Sequence, residues 1–136
     1  MLQPKRIKHR KVHKRVGGKG GVATRGFSLS FGAYGLKSIE ANWLRASQLE
    51  SARRAITHSI QRGGKLWTRV FPDKPRTQKG AETGMGGGAG SLSHFVAPVE
   101  AGRILFEMDG VPEATAREAF RLASHKLPVK TIFVKK

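Results

Sequence analysis

From Pro4 to Arg15 the chain reads PKRIKHRKVHKR, and no Asp or Glu occurs anywhere before Glu40. Like charges at this density repel one another, and Ile7, Val12 and Val16 are too few to offset the entropy of ordering the backbone. The tract cannot fold by itself, so it is predicted to be an extended arm until a polyanion neutralises it. Its charge comes from Lys5, Arg6, Lys8, Arg10, Lys11, Lys14 and Arg15, and Gly17, Gly18, Gly20 and Gly21 follow. Arm and glycine-rich linker are thus assigned to residues 1–25, and one globular domain to residues 26–136.

The charge excess does not stop at the arm. Residues 1–39 carry ten Lys and Arg with no carboxylate, and the remainder carries sixteen against nine, for a net charge of +17. That is far more than solubility requires, and it favours a phosphate polyanion that meets the protein on several sides, as a large folded RNA does. A membrane is the competing polyanion. No apolar run approaches the roughly 18 residues of a spanning helix, and the arm lacks the Trp, Phe and Leu face of an interfacial one. The absence of cysteine removes disulfides, thiolate metal sites and thiol nucleophiles together. Glycines rather than an apolar stretch follow the basic start, which is unlike a secretory signal.

Apolar alternation places a first strand in GFSLSFG, Gly26 to Gly32, with Phe27, Leu29 and Phe31 on one face, and a second extended stretch from Gly35 to Ala41. Ser47 and Glu50 have the spacing of a capping box at the start of a helix with Leu49, Ala52, Ile56 and Ile60 as its buried stripe. Gly63 and Gly64 end it. Lys65 to Phe71 is predicted as a strand stopped by Pro72 and Pro75. A long irregular loop, residues 73–91, is then expected because Gly and small polar residues dominate it. Leu92–Val96 and Arg103–Met108 are predicted as a hairpin, Pro112 to Lys126 as a second helix, and Val129 to Val134 as a last strand. The fold expected is α+β, a single two-layer sandwich of mixed or antiparallel sheet with two main helices on one face.

Several apparent motifs carry no chemistry. The segment from Lys19 to Thr24 lacks the Lys-Ser/Thr pair of a nucleotide loop, and the glycines after Gly84 neither follow a strand nor open a helix. His9 and His13 stand among cations that repel a metal ion. Asp73, Glu107 and Asp109 are expected to pair with basic neighbours rather than to catalyse. No enzyme, cofactor, metal or small-molecule substrate is therefore assigned. The basic residues fare better: Arg53, Arg54, Arg62, Lys65, Arg69, Lys74, Arg76 and Lys79 make a second cationic zone suited to phosphate oxygens; of the two aromatic groups able to stack on splayed bases, Trp43 and Trp67, the second is expected in the core because it lies within a strand.

Particular segments add a resemblance. MLQPKR with its basic continuation, LSFGAYGLK, QLESARRAI, RVFPDKP, GMGGGAG, EMDGV and AREAFRLASHKLPVKT together resemble the universal large-subunit ribosomal protein family that includes bacterial-type protein sixteen, over nearly the whole chain. The resemblance implies a structural protein that binds large-subunit ribosomal RNA near the base of the central protuberance, beside neighbouring ribosomal proteins. It implies the cytoplasmic ribosome, with an organellar one as the alternative. On this reading the arm residues with Arg53, Arg54, Arg69 and Lys74 face ribosomal RNA. Arg76, Lys79, Gly84, Met85, Gly86, Gly87 and Gly88 lie in a loop close to aminoacyl-site transfer RNA. The alternative is an RNA-binding assembly or maturation factor acting off the ribosome. The chain departs from the family pattern at Gly84, Gly87 and Ala89, where relatives carry Arg and two Lys, and at Phe95, where Trp is common.

Overall fold

A computed structural model describes residues 1–14 and 21–136; Arg15 and the linker through Gly20 lie outside the described residues. Residues 1–14 form neither helix nor strand, and the basic side chains of that stretch are exposed. The ordered elements are β1 (Tyr34–Ser38), β2 (Asn42–Arg45), α1 (Ala46–Ser59), β3 (Lys65–Thr68), β4 (Lys74–Gln78), β5 (Ser91–Val99), β6 (Ile104–Asp109), α2 (Glu113–Ser124) and β7 (Thr131–Lys135).

The class is α+β, as expected, and the strands form two antiparallel sheets. One has the order β3-β6-β1-β7 and the other β2-β5-β4. The hairpin predicted from Leu92–Val96 and Arg103–Met108 does not form. β5 and β6 follow one another in sequence yet join different sheets, because the turn between them is tied elsewhere: Gly102 N donates to Ser38 O at 2.7 Å and Ile104 N to Gly26 O at 2.8 Å. Those bonds turn the chain away from β5 and insert β6 between β3 and β1.

β6 is the centre of the larger sheet, and Ile104 through Met108 are all buried. Such a strand is covered on both faces and reads as a continuous apolar run, with Glu107 as the exception. Phe106 and Met108 join Leu36 in the core, and Phe133 of β7 reaches Phe120 of α2 at 6.0 Å between ring centroids, so this face looks toward the helices. α1 packs on α2 and also touches β2 and β5, while α2 lies on β1 and β7. Ala52, Ala116, Ala119 and Ala123 are fully buried. Small side chains of this kind let two helices approach closely.

Three further expectations change. Gly26–Gly32 is not a strand: the backbone N–H groups of Ser30, Phe31 and Gly32 point at the Glu107 carboxylate, not at a neighbouring strand. Residues 74–78, expected to be loop, form β4; Pro75 is tolerated because β4 is the edge of its sheet and pairs with β5 alone. α1 begins one residue before Ser47, and its start is closed by Arg45 N donating to Gln48 Oε1 at 2.9 Å, not by Ser47 and Glu50. Past its other end Gln61 and Arg62, as well as Gly64, take positive φ.

Gly32 is required by close approach. A Cβ there would stand 2.6 Å from the Met108 carbonyl oxygen, a backbone atom of the central strand that cannot move aside. Gly32→Ala should therefore lower stability by about 1–3 kcal/mol, as overpacking does. Urea denaturation measures this, and an unchanged midpoint would mean that residues 27–33 are free to lift from the sheet.

Candidate nucleic-acid interface

The cations fall into groups set by the carboxylates around them. On α1, Arg53 grips Glu50 through two bonds, Nε to Oε2 at 3.0 Å and NH2 to Oε1 at 2.6 Å, and Arg54 Nε reaches Oε1 at 3.1 Å. The Arg53 hydrogen bonds hold the Glu50 carboxyl down to about 2, against burial that pushes it up. Two guanidiniums share one carboxylate, so a positive charge remains on this face. Arg53, Arg54, Thr57, His58, Gln61 and Arg62 line a shallow groove along it, and Arg54 keeps 73% of its side chain exposed. α2 differs: Arg117 is bound to Glu113 at 2.9 Å and Arg121 to Glu118 at 2.7 Å, so much of its charge is matched locally.

Arg69 has another occupation. Its NH1 forms a short ion pair with Glu107, whose side chain is fully buried, and its guanidinium lies 5.2 Å from the Phe31 ring centroid. Burial pushes the Glu107 carboxyl up, but the N–H groups of Gly32, Ser30 and Phe31, with Arg69, outweigh it and leave the group below the ordinary carboxylate range. The pairing of Glu107 with a basic neighbour follows the sequence expectation. Asp109 instead accepts from Gly110 N at 2.8 Å. Among the described residues no group of His, Asp or Glu is arranged to hold a metal ion.

The remaining assigned residues divide between β4 and the loop. Lys74 and Arg76 stand on β4, not in the loop where the sequence put them. Both lie over Trp43 of β2, at 4.7 and 4.8 Å from the ring centroid. Trp67 stacks on Phe31 with centroids 6.0 Å apart and is half-buried. Sequence reasoning passed over Arg45 and His94, because a four-residue strand such as β2 carries too little periodicity to reveal which side chains share its face.

The loop proper runs from Lys79 to Gly90. Lys79 Nζ donates to the carbonyl of Gly84 at 3.4 Å and, in a shorter bond, to that of Gly86. Gly86, Gly87 and Gly88 have φ of 123°, 69° and 80°, values that side chains with a Cβ rarely adopt. Met85 projects fully into solvent between Gly84 and this run. Lys11 of the arm comes to the same place, its Nζ 3.7 Å from where a Cβ on Gly88 would stand.

A model of the ribosomal protein L16p/L10e family matches residues 4–134. The chain belongs to that family. An L16p/L10e protein is a structural, non-catalytic component of the large ribosomal subunit that works in translation, and membership implies binding to ribosomal RNA and to other ribosomal proteins. The chain's location is accordingly the ribosome, and no helix among its described residues is long and apolar enough to cross a membrane.

Because Arg69 sits against a buried carboxylate, the basic residues of this L16p/L10e chain should separate on substitution. Arg69→Gln leaves Glu107 without its cation and should cost about 3 kcal/mol, as breaking a buried pair does. Arg53→Gln and Arg54→Gln should cost no more than about 1 kcal/mol each. Equal midpoints in urea denaturation for all three would contradict the division.

Acid titration provides a second check. The unfolded chain protonates Glu50 in the ordinary carboxylate range and the folded chain only near 2. The stability this group contributes is thus present above the ordinary range and lost as pH falls toward 2. In the Arg53→Gln/Arg54→Gln double variant the Glu50 carboxyl should titrate near its ordinary value, which carbon-detected NMR reads directly.

Proposed function

We propose that this L16p/L10e protein anchors itself in the large subunit through the arm and the α1 groove, near the base of the central protuberance. The glycine-rich loop would extend toward aminoacyl-site transfer RNA. The observation that carries the anchoring is the distribution of charge. Lys5, Arg6, Lys8, Arg10, Lys11 and Lys14 are exposed along a stretch with no carboxylate, and α1 presents two arginines over one. Cations left this way gain more from phosphate than from the protein itself, since each neutralised phosphate releases counterions. Lys74 stands apart from both zones, on β4, and Arg69 serves the anchoring by holding the fold.

The loop supports the second half of the reading. It carries a fully exposed Met85 on a glycine backbone that can approach a nucleic acid closely. Its tip has no cationic side chain between Gly84 and Gly90. Lys79, folded back onto the tip carbonyls, and Lys11, lying beside Gly88, are the cations closest to hand.

Removing residues 1–14 should weaken binding to large-subunit ribosomal RNA and flatten its salt dependence, by about 0.7–0.9 in log–log slope for each phosphate that the arm no longer neutralises. An unchanged slope would exclude the arm from the interface. Shortening residues 80–90 should leave incorporation into reconstituted subunits intact and weaken transfer RNA binding at the aminoacyl site. Failure to incorporate would make the loop an anchor, and intact incorporation with unchanged transfer RNA affinity would remove the proposed loop function.

A further inference from the structure

The outward face of the three-stranded sheet is a separate basic surface. Strand register sets its membership: Arg45 and Lys74 lie opposite Val96 from its two sides, and Arg76 lies opposite His94. Alternation along β2 puts Trp43 with Arg45, on the side away from buried Leu44. Val96 is 2% exposed although it stands outside the main core, as expected of a small apolar residue covered by long basic side chains. The Trp43 Nε1 edge is buried, so the indole is turned inward at that edge while its ring carries Lys74 and Arg76. Burial, and then the charges of Arg45 and Arg76, push the His94 imidazole below its ordinary pKa. No ion pair among the described residues involves Arg45 or Arg76.

We infer that this face is a phosphate clamp for an RNA backbone, in which Arg45, Lys74 and Arg76 take the phosphates and Trp43 is the positioning residue that holds two of the cations in place. The inference rests on the reading that the chain binds ribosomal RNA, and adds a surface distinct from the arm and the α1 groove. Charge complementarity selects the occupant. The clamp offers cationic donors with no carboxylate among its members, which suits a chain of phosphates. Cation–π contact restrains lysine and arginine side chains that otherwise lose several rotamers on binding, so the geometry is set before RNA arrives. Arginine forks suit phosphate oxygens, which Arg45 and Arg76 can engage from the two strands that flank β5.

The test uses the full chain and protein-free large-subunit ribosomal RNA across a salt series. Arg45→Gln/Arg76→Gln should lose about tenfold in affinity or more, with the log–log slope falling by about 1.4–1.8 for two phosphates released. Trp43→Leu should lose affinity with its slope nearly kept, because the cations remain but are no longer held, and Trp43→Phe should recover most of the loss. In a Trp67→Phe background Trp43 is the only indole, and its fluorescence should change on titration with the RNA. An unaltered slope in the arginine double variant, with steep wild-type binding, overturns the clamp and leaves the proposed function standing. Weak, salt-independent wild-type binding overturns the proposed function itself. If the double variant loses binding to a polyglutamate peptide but keeps its RNA slope, the face is a protein-docking surface and the clamp is wrong. Should Trp43→Leu not fold, the arginine variant and the fluorescence titration still decide.

Discussion

Glu107 is a carboxylate in the middle of the central strand, with its side chain fully buried. A charge in that place is costly unless it is fully hydrogen-bonded, and here four groups supply the bonds: the N–H groups of Ser30, Phe31 and Gly32 and the guanidinium of Arg69. The consequences spread outward. The segment before β1 is bound across the sheet face, Leu29 fills the space above Gly35, and Phe31 is brought onto Trp67. Arg69 fixes the chain just after β3, and its own N–H donates to Leu105 O at 2.8 Å, which extends the attachment to β6.

That arrangement also sorts the cations. Where a basic residue meets a carboxylate within the fold, as at Arg69, Arg117 and Arg121, its charge is spent on structure. Where carboxylates are absent or outnumbered, along residues 1–14 and on α1, positive charge is not matched within the described fold. A protein of the large ribosomal subunit needs both kinds. The first keeps a small, strongly charged domain folded, and the second is what the proposed function assigns to RNA attachment.

The two sheets separate these tasks. The larger carries Glu107, with helices on one face and residues 27–33 on the other, and both sheets contribute to the core, the smaller through Leu44, Ala97 and Val99. The smaller sheet ends in an edge strand containing Pro75, a residue that removes one donor from the edge and helps to keep it from pairing with another chain. Past β4 the same sheet leads into the loop at Lys79, so the base of the glycine-rich tip is held by strand pairing while the tip depends on a lysine and on glycine conformations.

What the chain's composition and local pattern determine is its basic character, the α+β class and the two helices, since α1 and α2 have strong apolar stripes whose members, Leu49, Ala52, Ile56, Ala116, Ala119 and Phe120, are buried. The expectation of an arm comes from the same source, since repulsion within a short tract is a local property. Other features had no local signature. β4 was hidden by its proline, and the pairing of β5 and β6 with different partners depends on bonds from the turn between them to Gly26 and Ser38. The character of Arg69 rests on a carboxylate 38 residues away, and Trp43 meets Lys74 and Arg76 only because β2 and β4 flank β5. Charge and periodicity act between neighbours in sequence and can be read there. Whether a given cation faces a buried acid or an open surface is decided by long-range strand pairing, and that belongs to the tertiary structure.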